Sequence, residues 1–104
     1  MTDGYYFKIN EALLQKKLTG PEMIGFLQYV GQQGEGIAKE HAPVDTGNLR
    51  RSITHQVHPG NKPFVRIGTN VRYGIYQELG TRFHPAHPYL RPALEALKSI
   101  IKGF

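Results

Sequence analysis

The sequence predicts a small α+β domain in which a long N-terminal helix and a C-terminal helix pack on an antiparallel sheet of about three or four strands. Three observations support this fold class. Apolar residues recur at three- and four-residue spacing over residues 21–41 and again over residues 92–101, as they do on one face of a helix. Between these segments, apolar and β-branched runs at residues 52–58 and 63–69 flank the turn residues Pro59-Gly60-Asn61-Lys62, which predicts an antiparallel hairpin.

The first helix has recognisable ends in the sequence. Thr19 or Gly20 can cap its N-terminus, and Pro21 occupies a position where a helix tolerates a missing backbone donor. The helix is expected to end at Ala42, because a residue that precedes a proline avoids the helical region. Residues 7–18, upstream, predict either a strand that enters a helix or one short helix. The residues expected to face inward are Met23, Ile24, Leu27, Val30, Gly34, Ile37, Ala38 and His41.

Four glycines lie inside this helix, at positions 25, 31, 34 and 36. Each costs about 0.5–1 kcal/mol relative to alanine, so intrinsic propensity alone would not hold the helix. Two explanations stay open. Either the glycines allow close packing against a sheet or a neighbouring subunit, or the helix is kinked or frayed near residues 34–36.

Successive side chains of a strand point to opposite faces of the sheet, so the residues of the hairpin divide into two sets. Ile53, His55 and Val57 share one face, and the second strand sets Phe64, Arg66 and Gly68 opposite Val65, Ile67 and Thr69. Residues 73–79 are compatible with a third strand or with a single helical turn. Residues 84–88 are rich in proline and predict a rigid extended loop. The residues of the last helix that are expected to face inward are Ala93, Leu94, Leu97, Ile100 and Ile101.

At 104 residues the chain is expected to form a single domain. We divide it into an N-terminal segment (1–20), the long helix (21–41), a turn-and-sheet region (42–82) and a Pro-rich loop with the last helix (83–104). The absence of cysteine excludes a disulfide framework. No segment approaches the ~20 apolar residues of a membrane span, and the first residues lack a signal-peptide pattern. We therefore expect a soluble protein made in the cytoplasm, without membrane contact.

The chain is basic, with a formal net charge of +5 from 13 Lys and Arg against 8 Asp and Glu. This balance favours attraction to polyanions such as DNA. A small basic nucleic-acid-binding module is therefore an alternative function, although no helix-turn-helix and no aromatic-flanked RNA-binding motif is recognisable.

Asp45-Thr46-Gly47 matches the active-site triplet of aspartic proteases, in which two carboxylates share a proton. Here the triplet follows a helix end, and the nearby Arg50-Arg51 would lower the pKa of Asp45 and oppose a shared proton. Asp45 is better placed to cap a short turn that begins at Thr46. The pairs His55/His58 and His84/His87 lack the three or four ligands of a zinc site. We therefore expect that the protein is not an enzyme and that it binds neither a cofactor nor a metal.

Three blocks in the second half of the chain carry a family resemblance: residues 42–53 (APVDTGNLRRSI), 73–81 (YGIYQELGT) and 85–95 (PAHPYLRPALE). Their order and spacing, over about residues 37–97, resemble bacteriophage head–tail junction proteins described as neck, tail-component or tail-completion proteins. The resemblance implies a structural virion-assembly role. The resemblance also implies that copies form a ring, with a hexamer as the expected state, that contacts connector, head-closure or tail-tube proteins and encloses DNA.

Several residues of these blocks are candidates for specific roles. Leu49 and Ile53 are expected to anchor the first block, Tyr76 and Leu79 to pack in the core, and Glu78 to pair with an arginine such as Arg50. The assembly-interface candidates are Asp45, Arg50, Arg51, Tyr76, Glu78, Tyr89 and Arg91. The candidates for facing DNA in the ring lumen are Arg50, Arg51, Arg66, Arg72 and Arg82.

Overall fold

A computed structural model describes residues 5–10, 18–42, 47–71, 73–83 and 85–103. The α+β class expected from the sequence is confirmed. None of the described helices combines the length and apolar character that crossing a bilayer requires. In chain order the elements are β1 (Tyr5–Asn10), α1 (Gly20–His41), α2 (Gly47–Ser52), β2 (Thr54–His58), β3 (Phe64–Thr69), α3 (Tyr73–Leu79) and α4 (Leu90–Lys102).

The described strands form one antiparallel sheet in the order β1-β3-β2, with β3 in the centre. The predicted hairpin is confirmed as β2 and β3. The inner face of the sheet carries the core residues Ile9, Val65 and Ile67, which are fully buried. The opposite side, called here the outer sheet face, consists of Tyr6, Lys8, Asn10, Thr54, Gln56, His58, Phe64, Arg66 and Gly68.

Helix α1 begins and ends close to the predicted residues. The Thr19 hydroxyl accepts from the Glu22 backbone N–H, and the Glu22 carboxylate accepts from the Thr19 N–H, so the two form a capping box. The buried stripe of the helix is Met23, Phe26, Leu27, Val30, Gly31, Gly34 and Ala38. It includes Phe26, which was not expected. It excludes His41, whose ring is exposed and bonds to the Ile37 carbonyl.

Two of the four helix glycines explain how α1 approaches its neighbours. A Cβ on Gly34 would lie 2.5 Å from Ile67 Cδ1 and 2.8 Å from Leu97 Cδ1. A Cβ on Gly31 would lie 2.6 Å from the His55 ring. Gly25 and Gly36 face open space, and α1 is one continuous helix. Of the two explanations left open, close packing against the sheet is therefore the correct one at Gly31 and Gly34.

The core divides into two clusters. The larger joins α1, the inner sheet face and the C-terminal half of α4, with Leu97 and Ile101 among its members. The smaller cluster surrounds Tyr89 at the beginning of α4 and includes Leu49 and Ile53, so both predicted anchors are fully buried. Residues 73–79, left open by the sequence, form the short helix α3 beside this second cluster.

Candidate functional site

The N-terminus of α4 is capped by Glu78, a residue of α3. Its carboxylate is almost fully buried and accepts three backbone N–H groups: those of Tyr89 and Leu90 at Oε1 (3.0 and 2.8 Å) and that of Arg91 at Oε2 (3.0 Å). The first N–H groups of a helix have no partner within the helix, and the helix dipole favours an anion there. The N-cap residue Tyr89 offers no capping side chain of its own. Glu78 therefore supplies the cap from another helix.

The Tyr89 side chain makes the return contact from α4 to α3. Its buried hydroxyl donates to the Gly74 carbonyl at 2.9 Å. A Cβ on Gly74 would lie 2.5 Å from this hydroxyl and 2.6 Å from Thr69 Cγ2, so only glycine fits without displacement. Burial raises the pKa of Tyr89 well above its ordinary value of 10, and the nearby Glu78 and Tyr5 raise it further. The phenol therefore remains a hydrogen-bond donor at neutral pH.

Glu78 and Tyr89 flank a surface segment, residues 79–88, called here the clamped loop. A further bond, from the His87 N–H to the Gln77 carbonyl (2.7 Å), joins its two ends. Gly80 adopts a φ of 79° where α3 ends, a conformation that favours glycine. All described residues of the loop are exposed except Gly80, which is half-buried. A surface loop whose ends meet in this way is a compact, pre-shaped element.

Three large apolar side chains are exposed on α3 and the clamped loop. Tyr76 is 48% exposed, Leu79 55% and Phe83 78%, and together they form what we call the loop apolar surface. The expectation that Tyr76 and Leu79 pack in the core was wrong. The reason is the direction of the short helix α3, which buries Gly74 and Glu78, four residues apart, and so turns Tyr76 and Leu79 outward.

The expected ion pair between Glu78 and Arg50 is not formed. Backbone N–H groups at the start of α4 already occupy both Glu78 oxygens. The Nε atom of Arg50 is buried without a hydrogen-bond partner. The ion pairs seen among the described residues include those of Glu35 with Lys39 and His55, and of Glu95 with Lys98.

The other predicted residues are distributed over several elements. Arg51 on α2, Arg82 in the clamped loop and Arg91 on α4 are exposed. Arg66 lies on the outer sheet face, with its guanidinium 4.3 Å from the centre of the Tyr6 ring. Asp45, with its proposed cap, and Arg72 lie outside the described residues. Phe83 was not among the sequence-based candidates, although a single large apolar residue between Arg82 and the loop prolines was a usable signal.

The histidines do not converge on a metal site in the described part of the chain. His55 lies on the inner and His58 on the outer face of β2, as the alternation predicted. His55 Nδ1 is 2.8 Å from Glu35 Oε1, and Lys39 Nζ is 3.1 Å from Glu35 Oε2. Burial raises the pKa of Glu35, but the hydrogen bonds and charges of His55 and Lys39 outweigh it and hold that pKa below its ordinary value of 4.5. This cluster joins α1 to β2.

Comparison with protein families identifies the chain. Residues 14–80, more than half of its length, match the model of the HK97-gp10-like family, described as "Bacteriophage HK97-gp10, putative tail-component". The chain belongs to this family. The match confirms the resemblance, but it starts upstream of residue 37, includes α1 and ends before the third block at residues 85–95. No curated protein and no solved structure matches the chain.

Membership of the HK97-gp10-like family has direct consequences for function. The chain is a structural protein of the phage tail-component class, and the family is structural rather than typically enzymatic. Its family implies a location in the virion and association with other phage structural proteins.

Proposed function

We propose that this protein forms part of a ring at the head–tail junction or tail end of a phage or prophage virion, as a connector or tail-completion component. The observation that carries the proposal is the loop apolar surface, held outward by the buried Glu78 clamp. Several large apolar side chains exposed on one segment are typical of an interaction site. In a structural phage family, the partner of such a surface is another virion protein.

The clamp suits the loop to this role. A loop that is shaped before binding loses less conformational freedom on association, so more of the contact energy appears as affinity. Aromatic residues that enter a pocket of the partner often dominate the binding energy, which makes Phe83 the first anchor to test. Ring contacts would be heterologous, with the loop of one copy on a different surface of the next, and each should bury more than ~1,000 Å². Sixfold symmetry remains part of the proposal.

The candidate residues divide by function. Tyr76 and Arg91 are exposed beside the loop and are proposed to touch the partner, together with Leu79 and Phe83. Glu78 and Tyr89 are buried and act as positioning residues for the loop. Asp45 remains a prediction.

The test is the mass of the assembled species, measured by light scattering during gel filtration at several concentrations, alone and with tail-tube or connector protein of the same phage. We expect the wild-type chain to form a ring-sized species or to join its partner. Phe83→Ser should remain monomeric with an unchanged urea midpoint, because the removed ring is exposed. Tyr29→Ser on α1 is the control, because Tyr29 is also an exposed aromatic residue (45%, against 78% for Phe83) but lies outside the loop. Normal assembly by Phe83→Ser would contradict the proposed role of the loop.

A nucleic-acid-binding role is the second candidate, and one observation favours it. Lys8 and Arg66 lie side by side on the outer sheet face. In a junction ring this role would appear as contact with the DNA in the lumen.

A further inference from the structure

We infer that the outer sheet face binds the phosphate backbone of double-stranded DNA. This inference deepens the proposed function and rests on it, since it names the surface that a junction protein would turn toward DNA. None of the side chains of this face belongs to either core cluster. Helices α1 and α4 pack against the inner side of the sheet, where Val65 and Ile67 lie. The outer face is therefore available to a ligand in the described part of the chain.

The charge on this face is of one sign. Lys8 and Arg66 are direct cross-strand partners in the β1–β3 register, and the face contains no Asp or Glu. Like charges directly opposite each other destabilise a sheet. Arg66 Nη2 donates to the neutral Gln56 Oε1 at 3.1 Å rather than to a carboxylate. A like-charge pair with no carboxylate on its face breaks a local rule of sheet stability, and such exceptions concentrate at functional sites. A bound anion would relieve it.

Aromatic rings hold these cations in position. Lys8 Nζ lies 4.5 Å from the centre of the Phe64 ring, and Arg66 Cζ lies 4.3 Å from that of Tyr6. The His58 ring stacks on Phe64 with centroids 4.6 Å apart. Since the rings are engaged by cations and by each other, they are not presented as platforms for stacking bases. The face therefore suits contact with phosphates, which positions a protein on DNA without reading its sequence.

The occupant is assigned to nucleic acid rather than to protein on the basis of what the face lacks. Stable protein interfaces have an apolar core. The large apolar side chains that are exposed in the described chain are Tyr29, Tyr76, Leu79 and Phe83, and none of them lies on the outer sheet face. Charge complementarity agrees, because the chain carries a net charge of +5.

The test is the affinity for a labelled DNA duplex, measured by fluorescence anisotropy of the full chain between about 50 and 200 mM salt. The test variant is Lys8→Gln with Arg66→Gln. The control, Lys98→Gln with Lys102→Gln, removes two charges from exposed positions of α4. We expect the test variant to bind roughly tenfold or more weakly at low salt. The slope of log K against log salt concentration should also become shallower by about 1.8, because each lost phosphate contact contributes about 0.9. The control should stay close to wild type, and the charge-preserving Lys8→Arg with Arg66→Lys should retain binding.

Three results would overturn the inference. Equal losses in the test and control variants would mean that only net charge matters. The absence of DNA binding at the lowest salt would exclude a phosphate site. Polyglutamate that competes as well as DNA would assign the face to an acidic protein. Phe83→Ser should keep DNA binding while losing assembly, and Lys8→Gln with Arg66→Gln should do the reverse, so a failure of the inference is distinguishable from a failure of the proposed function.

Discussion

The clamped loop exposes apolar side chains next to a buried polar clamp, whereas the outer sheet face carries an exposed and a half-buried cation, Lys8 and Arg66, on strands whose other face is the apolar core. The described residues of the loop form no strand ladder, and the base of the loop is held by hydrogen bonds to Glu78 and from Tyr89, each made across eleven or more residues of chain. The cations of the sheet face stand on strands that are paired residue by residue. One small domain therefore supports two surfaces in different ways: hydrogen bonds to a buried carboxylate hold the loop, and a strand ladder holds the sheet face.

This difference has a consequence for mutations. Under the loop, a single buried substitution removes several hydrogen bonds at once and should affect both stability and assembly. On the sheet face, exchange of exposed Lys8 or half-buried Arg66 leaves the backbone ladder and the core intact and should affect binding alone. The following variants test this contrast, beginning with the largest expected effect on stability.

Glu78→Gln should give the largest loss. The carboxylate accepts three backbone N–H groups, whereas an amide offers one oxygen and turns its own N–H₂ toward donors. We expect the free energy of unfolding to fall by about 2–3 kcal/mol, measured by urea denaturation. Glu95→Gln, at an exposed position of α4, is the matched control, and its free energy of unfolding should differ from that of wild type by less than about 0.5 kcal/mol. Equal urea midpoints for the two variants would show that the clamp is not stabilising.

Tyr89→Phe should have the next largest effect, a loss of about 1 kcal/mol, because it leaves the buried Gly74 carbonyl without its donor. The same variant changes the response to alkali. Since burial raises the pKa of folded Tyr89, its stabilisation is complete below the unfolded value of 10 and is lost as the pH rises from there through the folded pKa.

Urea titrations across this alkaline range therefore provide the measurement for Tyr89. Wild type should lose stability faster than Tyr89→Phe as the pH rises. Tyr76→Phe, which alters an exposed ring on α3, should follow wild type at every pH. Parallel curves for wild type and Tyr89→Phe would contradict a buried, protonated phenol.

The polar contact beneath the sheet, between Glu35 and His55, should give a smaller and acid-dependent effect. Because the folded pKa of Glu35 is depressed, its contribution is complete above the unfolded value of 4.5 and is lost as the pH falls through the folded pKa. The stability difference between wild type and Glu35→Gln should therefore shrink as thermal unfolding is followed into acid. Glu40→Gln, at an exposed position of the same helix, should leave the acid limb unchanged.

The smallest effect on stability is expected for Lys8→Gln with Arg66→Gln. Two contacts between cations and rings are lost, but a like-charge pair is relieved, so the free energy of unfolding should change by less than about 0.5 kcal/mol. Thermal unfolding beside the DNA assay measures it. A large loss would mean that these cations support the fold, and the two surfaces would then be alike in their construction.

Much of the fold could be predicted because its signals are local. Thr19, Glu22 and Pro21 define the start of α1 within three residues, and alternation alone placed Arg66 opposite Val65 and Ile67. The side of α3 that faces inward could not be predicted. A seven-residue helix spans about two turns, which is too short for its periodicity to identify a buried face. The sequence leaves residues 73–79 open between a strand and a helical turn, so it does not show that Tyr76 and Leu79 are exposed.

The sequence by itself determined the fold class, the bounds of α1, the hairpin, the two faces of the sheet and the phage family. These follow from capping, from period-two and period-3.6 patterns, and from the order of the family blocks. Only the tertiary structure decided the partners of Glu78, the burial of Tyr89, the close approach at Gly31 and Gly34, and the exposure of Phe83. The physical reason is that the identity of an ionisable residue does not specify its partner. Glu78 could equally have paired with an arginine, but the packing of α3 beside α4 brought unpaired backbone N–H groups to its carboxylate instead.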